Sequence, residues 1–165
     1  DVLARVRQQI PDTVCVVAGD GSQRNEVLGK AQEYGLDESL RLLGPRAQPW
    51  IASLLAEADV ILAPMMGRAL VEAALSGTPV VAYDVDWHQE LLSDRETGML
   101  VPVGDCEAVA EAVVKLLSEP ELSNNIARRA RQEVADTSSR EATNRSERAA
   151  WIRVLPVLPV GDGPL

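Results

Sequence analysis

Glu72 is a lone carboxylate among Leu70, Val71, Ala73, Ala74 and Leu75, a costly setting for a charge unless something uses it. An ionised carboxylate accepts hydrogen bonds only, and its paired oxygens match two adjacent hydroxyls, the edge a ribose presents. Two readings are open: a contact of that kind, or an exposed glutamate on a helix edge. Just upstream, the apolar run Val60 to Ala63 stops at Pro64, and after Met65 and Met66 a helical pattern begins at Gly67. A strand that passes so directly into a helix leaves first-turn N–H groups pointing into the space beyond the strand, which makes an anion site. Such an end favours a phosphate by roughly 0.3 to 2 kcal/mol. Gly67 permits close backbone approach, and Arg68 either adds a charge-assisted contact or points to solvent.

The other clusters of chemical interest are weaker. Gly19-Asp20-Gly21 invites a dinucleotide reading, but Arg24 occupies the position where that fingerprint needs a glycine, so a tight turn is the better reading. Cys15 and Cys106 are far apart, which suggests neither a disulfide framework nor a metal cluster and fits a reducing cytoplasm.

These residues need a scaffold, and the alternation of short aliphatic runs with helical patterns predicts β-α units in a parallel sheet. A helix over Val2 to Ile10 precedes a buried strand over Thr13 to Ala18. Asn25 to Tyr34 is a helix with Gly35 at a left-handed C-terminal position. A strand over Leu40 to Leu43, a helix over Trp50 to Ala58 and a strand over Val60 to Ala63 follow. Then come a helix over Gly67 to Ser76, a strand over Pro79 to Tyr83, a short helix over His88 to Ser93 and a last strand over Met99 to Val101. Asp105 is a natural N-cap for a helix to Ser118 whose apolar face is Val109, Val113, Leu116 and Leu117. Glu121 to Ala135 repeats the pattern with Leu122, Ile126, Ala130 and Val134. A third C-terminal helix is expected over Arg140 to Val154, then an irregular tail over 155–165.

The totals bound the rest. With 165 residues, 46% of them hydrophobic and 25% charged, the chain has the composition of one folded domain. The net charge of -9 argues against nucleic acid and anionic lipid surfaces as partners. No apolar run approaches the roughly 20 residues that a membrane span requires, so direct membrane insertion is not expected.

In an open parallel sheet ligands bind beyond the carboxyl ends of the strands. At those places this chain carries Gly19-Asp20-Gly21-x-x-Arg24, Leu42-Leu43-Gly44, Pro64, Gly67 to Glu72-Ala73, Gly77-Thr78-Pro79-Val80-Val81-Ala82, Glu90, Thr97-Gly98-x-Leu100-Val101 and Gly104-Asp105. This ordered series, over about Ile10 to Arg153, resembles the C-terminal domain of family-4 (group 1) retaining glycosyltransferases. The resemblance implies a Rossmann-like three-layer α/β/α domain over 1–154, one half of a GT-B fold. It implies a nucleoside-diphosphate sugar as donor, no metal cofactor, and an acceptor-binding N-terminal domain that this chain does not include. Carried over by position, it places Glu72 on the ribose diol, the backbone of Gly67, Arg68, Ala69 and Leu70 on phosphate and sugar hydroxyls, and Leu43, Gly44 and Pro45 beside the base. No catalytic residue is assigned, because the acceptor-side groups of the family come largely from the other half.

Three differences from the family pattern are visible. The glutamate usually found eight residues before Glu72 is absent, with Pro64 joined to Gly67 by Met65 and Met66 alone. Asp86-Trp87 replaces a Gly-Gly pair ahead of Glu90, and His88, the only histidine, follows. A surface position at a helix start is expected for His88, with a polar contact to the sugar as the alternative. Finally, the family domain opens with a strand, a Gly-Arg pair and a Lys, none of which precedes Thr13 here. A sheet built from this chain is therefore expected to lack a central member between the strands at Thr13 and Val60.

Overall fold

The computed structural model describes residues 1–65, 67–85 and 87–138, apart from the side chains of Arg68 and Ser138. The expected helix over Arg140 to Val154 and the tail over 155–165 lie outside the described residues, as do Met66 and Asp86. The elements are α1 (Val2–Gln9), β1 (Cys15–Ala18), α2 (Arg24–Glu33), β2 (Leu40–Gly44), α3 (Gln48–Glu57), β3 (Ile61–Ala63) and α4 (Arg68–Ser76). They continue with β4 (Val80–Tyr83), α5 (His88–Leu91), β5 (Met99–Val101), α6 (Cys106–Ser118) and α7 (Pro120–Ser138). All the expected elements within the described residues form, in the expected order.

Local chemistry explains where several of them stop. Gly35 takes φ 65° after α2, and the Leu36 N–H reaches back to the Ala31 carbonyl at 2.7 Å, the long bond of a left-handed helix end. Gly77 closes α4 in the same left-handed conformation, at φ 84°, with the next N–H, of Thr78, on the Ser76 hydroxyl oxygen at 3.2 Å. Asp105 caps α6 by accepting from the N–H groups of Glu107 at 3.1 Å and Ala108 at 2.9 Å, satisfying donors that the helix itself cannot.

All the ladders are parallel, but they form two sheets, β1-β2 and β3-β4-β5. Alternate residues of the second sheet serve opposite layers. Ile61, Ala63, Val80 and Ala82 join Leu70, Ala73 and Ala74 of α4 and Ala130 and Val134 of α7 in one cluster. Val81, Met99 and Val101 join Val6 of α1 and Val109, Val113 and Leu116 of α6 in the other. A sheet with helices on both faces is the three-layer α/β/α arrangement of a Rossmann-like domain.

The interruption expected between the strands at Thr13 and Val60 is visible, since β1 and β3 share no ladder. It corrects a second expectation, because β1 is not a buried strand: Val16 is 39% and Val17 42% exposed. Among the described residues β1 has β2 as its only hydrogen-bonded neighbour strand, and the two core clusters form around the other sheet. The strand also starts late, at Cys15, because the Thr13 N–H and hydroxyl both turn back to the Ile10 carbonyl, at 3.2 and 2.8 Å.

Candidate functional site

The turns after β1 and β2 meet at the carboxyl ends of their strands, where a parallel sheet offers its ligand crevice. The Gly19 N–H donates to the Gly44 carbonyl at 2.9 Å, so the first two turns lie side by side. Gly44 adopts φ 69°, a conformation that favours glycine. Leu43 and Gly44 are half-buried and Pro45 is exposed. Beyond them, Ala47 is extended and α3 begins at Gln48, with Pro49 in its first turn, where its missing N–H costs nothing.

Glu72 lies on the open side of α4. The helix buries Leu70, Ala73 and Ala74 completely, and its pitch turns position 72 away from that face. Glu72 is accordingly exposed, so the cost of an isolated buried charge does not arise. Its partner is Gln48, whose Nε2 donates to Glu72 Oε2 at 2.8 Å. The carboxylate therefore faces the start of α3 and the turn that leads into it.

Gly67 is the N-cap of α4, and no side chain caps that end. Gly67 and Ala69 are exposed, whereas the Leu70 side chain is in the core. The Leu70 N–H is already bonded to the Gly67 carbonyl at 2.9 Å, which narrows the anion-binding backbone of the sequence reading to Gly67, Arg68 and Ala69.

His88 departs from expectation. It starts α5, as anticipated, but it is only 2% exposed, with Nδ1 2.8 Å from the Tyr83 carbonyl. Its ring meets Trp87 edge-on at 5.2 Å, and Trp87 packs against the α4–α7 cluster. A backbone carbonyl from the neighbouring strand supplies the polar partner that makes burial of the imidazole tolerable. The Thr97-Gly98 pair is likewise structural. Thr97 is fully buried and its Oγ1 accepts from the Ser93 N–H at 2.8 Å, while a Cβ on Gly98 would sit 3.0 Å from Leu92 Cδ1.

A small apolar groove lined by Leu62, Pro64, Val81 and Tyr83 runs beside β3 and encloses about 80 Å³, well below the ~300 Å³ of the smallest usual ligand sites. Glu72 is not among its lining residues and is exposed. Among the described residues no group of three or more His, Cys, Asp or Glu side chains is arranged to hold a metal ion, and no helix is long and apolar enough to cross a membrane.

The family profile described as "Glycosyl transferases group 1" matches residues 1–133. The chain belongs to that family. Phosphatidyl-myo-inositol mannosyltransferase of Mycobacterium leprae is 38% identical over 122 residues, covering 71% of this chain and 32% of that protein. Glycogen synthase of Mycobacterium tuberculosis is 29% identical over 134 residues, covering 79% of this chain and 32% of that protein. The chain thus spans about one third of the length of these curated relatives. Among solved structures, sucrose-phosphate synthase from Thermosynechococcus elongatus superposes with a TM-score of 0.79 at 26% identity, over 92% of this chain and 41% of that one. Anabaena HepE in complex with UDP-glucose gives 0.80 at 25% identity, over 93% and 44%. The group 1 glycosyl transferase chain therefore has the fold of one half of a GT-B enzyme.

Sequence reasoning missed Gln48, the residue that meets Glu72. Pro49 was the available signal, because proline at the first turn marks a helix start. It moves the beginning of α3 from Trp50 back to Gln48 and brings that side chain onto the crevice.

Proposed function

We propose that this group 1 glycosyl transferase chain is the donor-binding part of an enzyme that transfers a hexose-type sugar from a nucleoside diphosphate to an acceptor, with retention of anomeric configuration. The single observation that carries the reading is the exposed Glu72 carboxylate, turned toward the start of α3 beside the Leu43-Gly44-Pro45 turn and one helical turn from the uncapped Gly67 end. In this reading Glu72 takes the ribose diol, and Leu43, Gly44 and Pro45 flank the base. The backbone of Gly67, Arg68 and Ala69 receives the diphosphate without a resident metal. A further domain outside this chain supplies the acceptor site, so residues 1–154 alone would bind donor without transferring sugar, in the cytoplasm. The HepE complex with UDP-glucose, at 25% identity, supports the donor class.

Titration calorimetry with UDP-glucose and GDP-mannose tests the proposal. Glu72→Ala should lose about tenfold to a hundredfold in affinity for whichever donor binds, the worth of a charged hydrogen bond. Unchanged affinity would remove Glu72 from the ribose.

A second reading is a nucleotide-sugar-binding or protein-interaction module without catalysis. It is favoured by Pro64 standing where the family has a glutamate, and by Trp87 packing into the core cluster where the family has a glycine pair. Failure of the folded, unsubstituted protein to bind either donor would select its protein-interaction form.

A further inference from the structure

We infer that Gln48 is a positioning residue for the Glu72 carboxylate and thereby sets discrimination for nucleotides that carry both ribose hydroxyls, an inference that rests on the diol role proposed for Glu72. A carboxylate can only accept, so the Gln48 atom that faces Glu72 Oε2 at 2.8 Å must be the amide nitrogen. The two residues are 24 positions apart and come from different helices, so their meeting is a product of the tertiary fold.

Each end of α3 is fixed. Pro49 restricts its first turn, and the N–H groups of Trp50 and Ile51 bond to the Ala47 carbonyl at 3.0 and 3.1 Å. Near the C-terminal end, the Leu55 carbonyl accepts from the Thr78 hydroxyl at 2.6 Å. Glu72, by contrast, is an exposed side chain with several rotatable bonds. Gln48 is exposed as well, but its backbone is held at the start of α3, and its bond to Oε2 restricts the rotation of Glu72. Each carboxylate oxygen has lone pairs to spare, so Oε2 can hold Gln48 and one hydroxyl while Oε1 takes the other. A neutral amide orients the group without neutralising it.

The test compares UDP and GDP with their 2′,3′-dideoxy analogues by calorimetry on the full chain. Gln48→Ala should weaken the ribonucleotide that binds by about three- to tenfold and change its dideoxy analogue by less than about twofold. Gln48→Glu, which sets two carboxylates face to face, should weaken the ribonucleotide more than alanine does. Equal losses on both nucleotide types would show that Gln48 merely supports the start of α3 and would overturn the inference. No loss with Gln48→Ala, alongside a clear loss with Glu72→Ala, would overturn it while leaving the diol role standing. No loss with either variant would remove both.

Discussion

Thr78 donates its hydroxyl hydrogen to the Leu55 carbonyl at 2.6 Å, and the threonine is 3% exposed. The bond ties the last turn of α3 to the segment between α4 and β4. It matters to the crevice because α3 carries Gln48 at one end, while α4 carries Glu72. One side chain thus satisfies a carbonyl that the end of α3 cannot and sets the spacing of the two helices.

Replacing that threonine isolates the effect. Thr78→Val keeps the shape and removes the donor, leaving the Leu55 carbonyl without this partner, and should cost about 1–3 kcal/mol in urea unfolding. Thr78→Ser keeps the hydroxyl and should cost less than the valine variant. If valine proves as stable as threonine, the bond contributes nothing to the joint.

Gly98 is held by a different constraint. A Cβ there would meet Leu92 Cδ1 at 3.0 Å and the Val80 carbonyl oxygen at 3.4 Å, in a place where Leu92 is 1% exposed. Gly98→Ala should destabilise by roughly 1–3 kcal/mol through overpacking. Combining it with Leu92→Ala should cost less than the two single losses added together, since the second change makes room for the first. Strict additivity would show that the Leu92 contact is not the cause.

Burial raises the pKa of the Cys15 thiol above the ordinary range. Below that range the thiol is protonated in folded and unfolded chains alike. As pH rises through it, the unfolded chain releases its proton first, so the folded state loses stability. Unfolding midpoints taken from pH 7 upward should fall less steeply for Cys15→Ala than for the parent chain. In the native protein at pH 8, alkylation of Cys15 should run slower than in urea, and equal rates would contradict the burial effect.

The element order was legible because each strand and helix satisfies its own periodicity and carries its own stop signal, such as Gly35, Gly77 or Asp105. What escaped depends on distant partners. His88 reads as a surface residue until the Tyr83 carbonyl is placed beside it. The run at Val16 and Val17 reads as core because an apolar sequence cannot reveal that its strand pairs on one edge alone. Gln48 belongs to the crevice only once α3 starts early and α4 lies next to it. Glu72 was singled out as a charge in an apolar helix, yet the helix hides its apolar residues elsewhere and leaves the carboxylate in water.

The break between β1 and β3 has a mechanical meaning. The Leu43-Gly44-Pro45 turn extends from one sheet, whereas α4 and Glu72 belong to the layers around the other, and no ladder joins the two. Segments without shared ladders can open as separate cooperative units. On the proposed reading, a nucleotide with its base on the first sheet and its ribose on Glu72 would lie across that seam like a rivet. Occupancy would then add a further tie across the seam beside the Thr78–Leu55 and Gln48–Glu72 bonds.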